Sequence, residues 1–122
     1  ELTKPFDRAT YADALRAIRA TPHSDFIVAE ENGEVVGCLQ LTLIPGLSQG
    51  GAWRALIESV RIATPKRGRG IGTALLKHAL AEARRKGAKL VQLTSDTRRT
   101  EAHKFYKALG FTISHTTFKQ VL

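Results

Sequence analysis

The sequence predicts a mixed α/β domain with an antiparallel first half and a second half in which strands and helices alternate. Three observations support this fold class. Asn32-Gly33 lies between two apolar segments and is typical of a two-residue hairpin turn. Apolar residues recur at helical spacing over residues 71–86, and a short apolar strand follows at 90–94. Because this strand follows a helical crossover, we expect it to pair in parallel with an earlier strand.

The elements of the first half follow from local patterns. Tyr11, Leu15 and Ile18 predict a helix over residues 10–20 that ends before Pro22. Residues 1–5 are expected to form an extended or disordered lead. Apolar segments bounded by turn residues predict strands, and these are expected at residues 25–31, 34–44 and 52–62. A polar, glycine-bearing loop is expected at 47–51 and a second loop at 63–69.

The C-terminal part is predicted to contain one more helix and one more strand. The helix over residues 98–109 is indicated by apolar residues at helical spacing: Ala102, Phe105, Tyr106 and Leu109. Gly110 ends it, and residues 111–122 then predict a final strand that is broken near Ser114-His115. No internal repeat or second domain is evident, so we expect one domain over residues 1–122.

Composition narrows the class of protein. The chain has 122 residues, 43% of them hydrophobic, and a net charge of +8 with a pI near 10.2, which suits an anionic ligand. One cysteine, Cys38, excludes an internal disulfide. We expect a cytoplasmic protein with no membrane span and no metal, because no long apolar run occurs and the histidines lack ligand spacing. At this size a homodimer is a further expectation.

Residues 67–73, Arg-Gly-Arg-Gly-Ile-Gly-Thr, lie between the third strand and the long helix, and we call them the glycine turn. Glycines leave backbone amides uncovered, and amides at the start of a helix lack partners at its positive end. With Arg67 and Arg69 beside them, these amides predict an anion site, most plausibly for a pyrophosphate. A turn with two solvated arginines explains the same residues equally well.

Two motifs stand out together: one is Arg67-x-x-Gly70-x-Gly72 after the strand ending Val60-Arg61-Ile62, and the other runs from Ala102 through Phe105-Tyr106 to Gly110-Phe111. Together they resemble the two signatures of the GNAT superfamily, the GCN5-related N-acetyltransferases. The resemblance covers residues 25–122. The chain also has a looser resemblance to members of the superfamily that acetylate small primary amines, including aminoalkylphosphonate acetyltransferases.

The resemblance implies an acyltransferase that uses acetyl-CoA as cosubstrate and transfers acetyl directly to a primary amine of a small molecule. It implies that Tyr106 is the general acid that protonates the coenzyme A thiolate. Glu58, taken to share a face with Val60, is a candidate proton acceptor for the amine. The resemblance also implies that the pantetheine arm of the cosubstrate pairs with the end of the third strand, at Val60, Arg61 and Ile62. The pyrophosphate would bind at the glycine turn, at Arg67, Gly68, Arg69, Gly70, Ile71, Gly72 and Thr73.

The chain departs from the family pattern in two places. Many members have an asparagine that touches the cofactor seven residues before the tyrosine, where this sequence has Arg99. Arg99 is therefore a candidate for a substitute contact to phosphate. The family also begins with a strand and a helix that flank the acceptor site, and the chain is expected to lack both.

Each candidate residue can also be explained by a structural role instead of a functional one. Tyr106 also fits a core aromatic, and Glu58 fits a salt bridge to Arg54 or Arg61. His103 is expected at the surface, and His115 is a weaker candidate for the acceptor pocket. Three further residues are as easily structural as functional: Trp53, which could border the acceptor site, and Asp96 and Arg98, which could cap the last helix.

Three other functions compete with acetyl transfer. The net charge suggests a nucleic-acid-binding module, but the basic residues are scattered and no basic-aromatic motif occurs, so nucleic acid is an unlikely partner. A nucleotide enzyme is disfavoured because the glycine turn lacks both the Rossmann and the P-loop spacing. An acetyl-CoA-binding protein without catalysis remains the third alternative.

Overall fold

The computed structural model describes residues 8–122, so the predicted lead at residues 1–5 lies outside the described part. The elements follow the predicted order closely. They are α1 (Arg8–Ala20), β1 (Ser24–Glu31), β2 (Glu34–Ile44), α2 (Ser48–Gly51), β3 (Arg54–Ile62), a 3₁₀ turn (Thr64–Lys66), α3 (Ile71–Arg85), β4 (Leu90–Leu93) and α4 (Thr100–Ala108).

The four strands form one mixed sheet in the order β1-β2-β3-β4, which confirms the predicted fold class. The first three strands pair antiparallel, and the β1–β2 turn is Asn32-Gly33, where both residues have positive φ as a type I′ turn requires. The crossover through α3 brings β4 beside β3 in the parallel direction, where Lys89 N donates to Trp53 O at 2.9 Å.

The core lies between α3 and one face of the sheet. On β2 and β3 the fully or nearly buried side chains alternate along the strands: Leu39, Leu41, Leu43, Ala55 and Ile57. From α3 the corresponding buried residues are Leu75, Leu76, Ala79 and Ala83. Two of these are alanines, whose small side chains let the helix lie close to the sheet, chiefly against β2.

Helix α3 ends as its sequence predicts. Gly87 has φ +94° and follows the last helical residues, and its N–H donates to Arg84 O at 3.1 Å. Ala88 N donates to Ala83 O at 3.0 Å, which completes a Schellman motif. Arg84 and Arg85 occupy the last turn, where the helix dipole favours cations. The chain is then directed back toward β4.

Two predicted elements differ from the structure. The loop expected at residues 47–51 contains the short turn α2, which is distorted because Gln49 and Gly50 have positive φ. The strand expected at 111–122 is wrong, since the described residues form no strand there. Its alternating residues do not reach a core: Ile113 is 73% exposed and Phe118 is 93% exposed. A strand needs a neighbouring backbone to pair with, and alternation does not supply one.

The chain divides into two compact units, one ending at Gln92 and the other beginning at Leu93. The first contains α1, the antiparallel strands and α3, and the second contains α4 and the C-terminal segment. Within residues 8–122, no helix combines the length and the apolar character that crossing a membrane requires.

Candidate functional site

The glycine turn leads directly into α3. Gly68 and Gly70 have φ of +79° and +82°, and Gly70 is the residue that caps α3. A Cβ atom added to either glycine would meet nothing within 4 Å, so both face open space. The cap has no side chain and the first turn of α3 carries no acidic residue. The first amides of α3 are therefore uncovered at the positive end of the helix.

Three cations surround this turn, and two of them share one carboxylate. Lys66 Nζ donates to Glu31 Oε1 at 2.9 Å, and Arg69 Nη1 donates to the same oxygen at 3.2 Å. The hydrogen bond from Lys66 is the main reason that the pKa of Glu31 is lowered. Arg67 Nε donates to Ile62 O at 3.3 Å, which ties this guanidinium to the end of β3. The turn thus combines uncovered amides with positive side chains.

Strand β3, which the sequence predicts as a regular strand, contains a bulge. Cys38 pairs with Arg61 and Gln40 pairs with Glu58, so Ser59 and Val60 together oppose Leu39. Ser59 has φ +56°, an uncommon backbone conformation for a residue other than glycine. A bulge of this kind interrupts the ladder and changes the direction of the side chains that follow.

The bulge corrects the expectation that Glu58 and Val60 share a face. Glu58 pairs with Gln40 and therefore lies on the opposite face from the buried neighbours Leu41 and Ile57. Val60 lies with Ile62 on the face that packs against α3. Period-2 alternation holds only for a regular strand, and the extra residue shifts it by one.

Glu58 is exposed on the face of the sheet away from α3. Among residues 8–122 it forms no ion pair with Arg54 or Arg61, so the salt bridges considered for it are not present. Arg61 lies on the same face and its Nη1 donates to Val60 O at 3.0 Å. Because the Glu58 carboxylate is exposed and is not ion-paired with Arg54 or Arg61, it is accessible to an amine that gives up a proton.

The end of β3 is packed against the start of α3 through Gly37 of β2. A Cβ atom at this position would lie 2.9 Å from Ile62 Cδ1, 3.2 Å from Arg61 O and 3.5 Å from Ile71 Cγ2. Glycine is thus required for the close approach of three elements. Ile62 is the last residue of β3 and Ile71 is the first residue of α3, so this contact holds together the two elements that the glycine turn connects.

In the second unit, Tyr106 is partly buried on α4. Its ring lies 5.3 Å from Phe105 and 6.0 Å from Phe111 between ring centroids, the latter edge to face. Phe111 N donates to Tyr106 O at 3.1 Å, so the residues of the second motif are held together around the end of α4. The ring that bears the phenol oxygen is therefore held between the rings of Phe105 and Phe111.

The turn before α4 is organised by Asp96. Its carboxylate accepts from the backbone N of Arg98 at 2.9 Å and from the guanidinium at 2.7 Å, and these bonds hold the pKa of Asp96 far below its usual value. His103 Nε2 lies 2.9 Å from Asp96 O. Asp96 and His103 therefore both stabilise the turn before α4. Arg99 occupies the cap position of α4, is exposed and makes no side-chain capping bond.

Trp53 lies at the opposite end of β3 from the glycine turn. Its ring is edge-on to that of His23, with the ring centroids 4.9 Å apart, and both residues line a cavity of about 410 Å³ that is also lined by the ion-paired Lys86 and Asp25. Nine residues of β3 separate the two ends, roughly 30 Å of extended chain. Trp53 therefore packs away from the site proposed for phosphate.

Four residues at or near the glycine turn were not predicted from the sequence: Glu31, Gly37, Ser59 and Lys66. For Ser59 a signal exists, because the apolar positions of β3 change from odd (Ala55, Ile57) to even (Val60, Ile62). For Gly37, a glycine inside an apolar strand indicates close backbone approach. Glu31 and Lys66 are 35 residues apart, and no local pattern pairs them.

Comparison with known proteins gives consistent matches. A model of the acetyltransferase (GNAT) family matches residues 1–111. The aminoalkylphosphonate N-acetyltransferase of Salmonella typhimurium is 34% identical over 121 residues, which cover 99% of this chain and 78% of that protein.

Solved structures that share the fold of this chain include a bacterial and a trypanosomal protein. A transcriptional regulator from Bacillus halodurans is 40% identical, with a TM-score of 0.90 over 93% of this chain and 76% of that one. An acetyltransferase from Trypanosoma brucei is 28% identical, with a TM-score of 0.74 over 93% of this chain and 77% of that one.

Proposed function

The chain belongs to the GNAT family of N-acetyltransferases, enzymes that use acetyl-CoA, and from this premise we propose that it transfers acetyl directly to the primary amine of a small molecule. The observation that carries the proposal is the uncovered start of α3 behind Gly68 and Gly70. The family model extends across both compact units, which supports one N-acetyltransferase domain.

The glycine turn is the proposed site for the pyrophosphate of coenzyme A. Amides of residues 68–73 would donate to the phosphate oxygens, and Arg67 and Arg69 would add charge. Hydrogen bonds to a charged group contribute about 1.5–3 kcal/mol each, roughly twice a neutral bond. The cosubstrate would thereby be fixed by its phosphates, remote from the reacting thioester.

The last residues of β3 are the proposed partner of the pantetheine arm. The hydrogen bond from Lys89 N to Trp53 O aligns the start of β4 with the start of β3. From there β4 ends at Leu93, whereas β3 is longer and continues to Ile62. Main-chain groups of Val60, Arg61 and Ile62 therefore extend past the length of β4. An amide-containing chain could pair with them as a strand does.

The chemistry proposed is a direct attack of the amine nitrogen on the thioester carbonyl carbon. The new C–N bond replaces the C–S bond, Glu58 accepts the proton that the amine loses, and Tyr106 donates a proton to the departing thiolate. A phenol with an ordinary pKa of about 10 suits this acid role. Holding thioester and amine together supplies up to about 7–11 kcal/mol in well-oriented systems.

A covalent acetyl-enzyme is not part of the proposal. The chain has one cysteine, Cys38, which lies in β2, where it pairs with Arg61 and its thiol donates to Ser59 O at 3.7 Å. Burial raises the pKa of its thiol, which disfavours the thiolate that nucleophilic attack requires. Direct transfer is therefore the simpler path.

The test is acceptor-dependent thiol release from acetyl-CoA. Because the Salmonella relative is named for aminoalkylphosphonates, 2-aminoethylphosphonate is the first acceptor, compared with spermidine, an aminoglycoside and a lysine-containing peptide. We expect thiol release with at least one small amine. Binding of acetyl-CoA without turnover of any amine would favour a binding protein. Salt-dependent binding of DNA with no affinity for acetyl-CoA would favour the nucleic-acid alternative.

A further inference from the structure

Glu31 is the last residue of β1 and the one carboxylate, among the described residues, that is ion-paired with the cations around the glycine turn. Its side chain is 30% exposed and that of Lys66 is 27% exposed, so the pair is partly shielded from water. Lys66 precedes Arg67-Gly68 and Arg69 follows them. A single oxygen of Glu31 therefore holds the residues on either side of Arg67-Gly68, at the start of the glycine turn.

We propose that Glu31 is a positioning residue for coenzyme A binding, which acts by holding Lys66 and Arg69 at the edge of the phosphate site. The proposal rests on the function proposed above and extends it to two residues outside the glycine motif, Glu31 and Lys66. Glu31 itself would repel phosphate, so it would act through the cations and not by contact.

Two effects of the Glu31 carboxylate oppose each other. Its negative charge lowers the positive potential of the turn, but water and salt screen this effect at a partly exposed site. Against this, Lys and Arg side chains lose much rotamer freedom when a ligand orders them, and Gly68 and Gly70 have unusual backbone freedom to lose. With Glu31 present, part of this ordering exists before the ligand arrives. Preorganisation is therefore expected to outweigh repulsion.

The chain offers a matched control on the same hairpin. Glu34 pairs with Glu31 across the β1–β2 turn and is exposed, and among the described residues it forms no ion pair with the turn. Glu31→Gln and Glu34→Gln each remove one negative charge at nearly the same place. Only Glu31→Gln removes the anchor of Lys66 and Arg69, so a difference between the variants reports anchoring and not net charge.

Coenzyme A binding is measured by calorimetry, and KM for acetyl-CoA and kcat by thiol release, on the wild type and both variants. We expect Glu31→Gln to raise Kd and KM about tenfold, the cost of leaving two long side chains for the ligand to order, with kcat within about twofold. Glu34→Gln is expected to match the wild type or bind slightly tighter. Equal or tighter binding by Glu31→Gln than by Glu34→Gln would overturn the proposal, as would a loss confined to kcat.

A second measurement separates an effect of Glu31 through Lys66 from a general loss of stability in Glu31→Gln. Lys66→Gln and the double variant Glu31→Gln/Lys66→Gln complete a cycle with the wild type and Glu31→Gln. If Glu31 acts through Lys66, its replacement should cost clearly less in the Lys66→Gln background, whereas additive effects would contradict the proposal. No coenzyme A binding by the wild type would overturn the proposed function and this inference together. Normal wild-type binding with indistinguishable Glu31 and Glu34 variants would overturn this inference alone.

Discussion

Gly70→Val is the perturbation that most sharply tests the site at the start of α3. Gly70 has φ +82° and ψ +4°, a left-handed conformation that costs an L-residue about 1–2 kcal/mol and a β-branched one somewhat more. No atom lies within 4 Å of the added Cβ, so the Cβ itself adds no tertiary collision to this cost. The expected loss of stability is therefore about 1–2 kcal/mol, with the fold retained.

The effect on coenzyme A binding should be larger than this loss of stability explains. A valine side chain at Gly70 covers the amides that open α3, and one lost hydrogen bond to a charged phosphate costs about 1.5–3 kcal/mol. Affinity should therefore fall roughly 10- to 100-fold. Calorimetry of coenzyme A binding gives this number, and thermal unfolding gives the stability.

Gly87→Val is the matched control. Gly87 has φ +94°, also meets nothing within 4 Å, and lies at the other end of α3, about 22 Å from Gly70 for fifteen helical residues. Its backbone strain should be similar, and its coenzyme A affinity should equal that of the wild type. Unchanged affinity in folded Gly70→Val would place the phosphate site elsewhere. Equal losses in both variants would show that destabilisation alone weakens binding.

Three further outcomes are expected. Tyr106→Phe should keep the ring packing and lower kcat by about 10²–10⁴-fold with unchanged coenzyme A affinity, and a wild-type kcat would remove the phenol from the mechanism. Gly37→Ala should lower the free energy of unfolding in urea by about 1–3 kcal/mol, because its Cβ meets Ile62 at 2.9 Å and backbone at 3.2 Å; an unchanged midpoint would contradict the close packing. Because the pKa of Glu31 is lowered on folding, its stabilising effect is present above the unfolded pKa of about 4.3 and is lost as pH falls through the folded value. The difference in unfolding temperature between wild type and Glu31→Gln should therefore shrink below about pH 4, and a difference independent of pH would contradict the ion pair.

Local signals predicted most of the fold. The hairpin at Asn32-Gly33, the strand periodicity of β2 and the glycine that ends α3 each act over a few residues, and each lies where the sequence placed it. The wrong strand at residues 111–122 has the same origin. Alternation there is a local property, but a strand also needs a neighbouring backbone, which no local pattern can supply.

The candidate site was predicted less completely, because its details depend on contacts between distant residues. The glycine turn and its arginines were recognisable from spacing, but the bridge from Glu31 to Lys66 spans 35 residues. The bulge at Ser59 also moved Glu58 to the face opposite Val60, a change that follows from one extra residue in the ladder. The change of apolar positions from odd to even indicates an irregularity in β3, and the register of the strands places it at Ser59.

Acetyl transfer to an amine, the central claim, is tested most directly by measuring both products of one reaction. Acetyl-CoA and the best acceptor of the amine panel are incubated with the wild-type enzyme, free thiol is quantified, and acetylated amine and intact protein are measured by mass spectrometry. We predict equal amounts of coenzyme A thiol and acetylated amine, formed only when both substrates are present, with no acetyl group on Cys38. Thiol released without acetylated amine, or acetyl accumulating on Cys38 before the amine product forms, would contradict direct transfer.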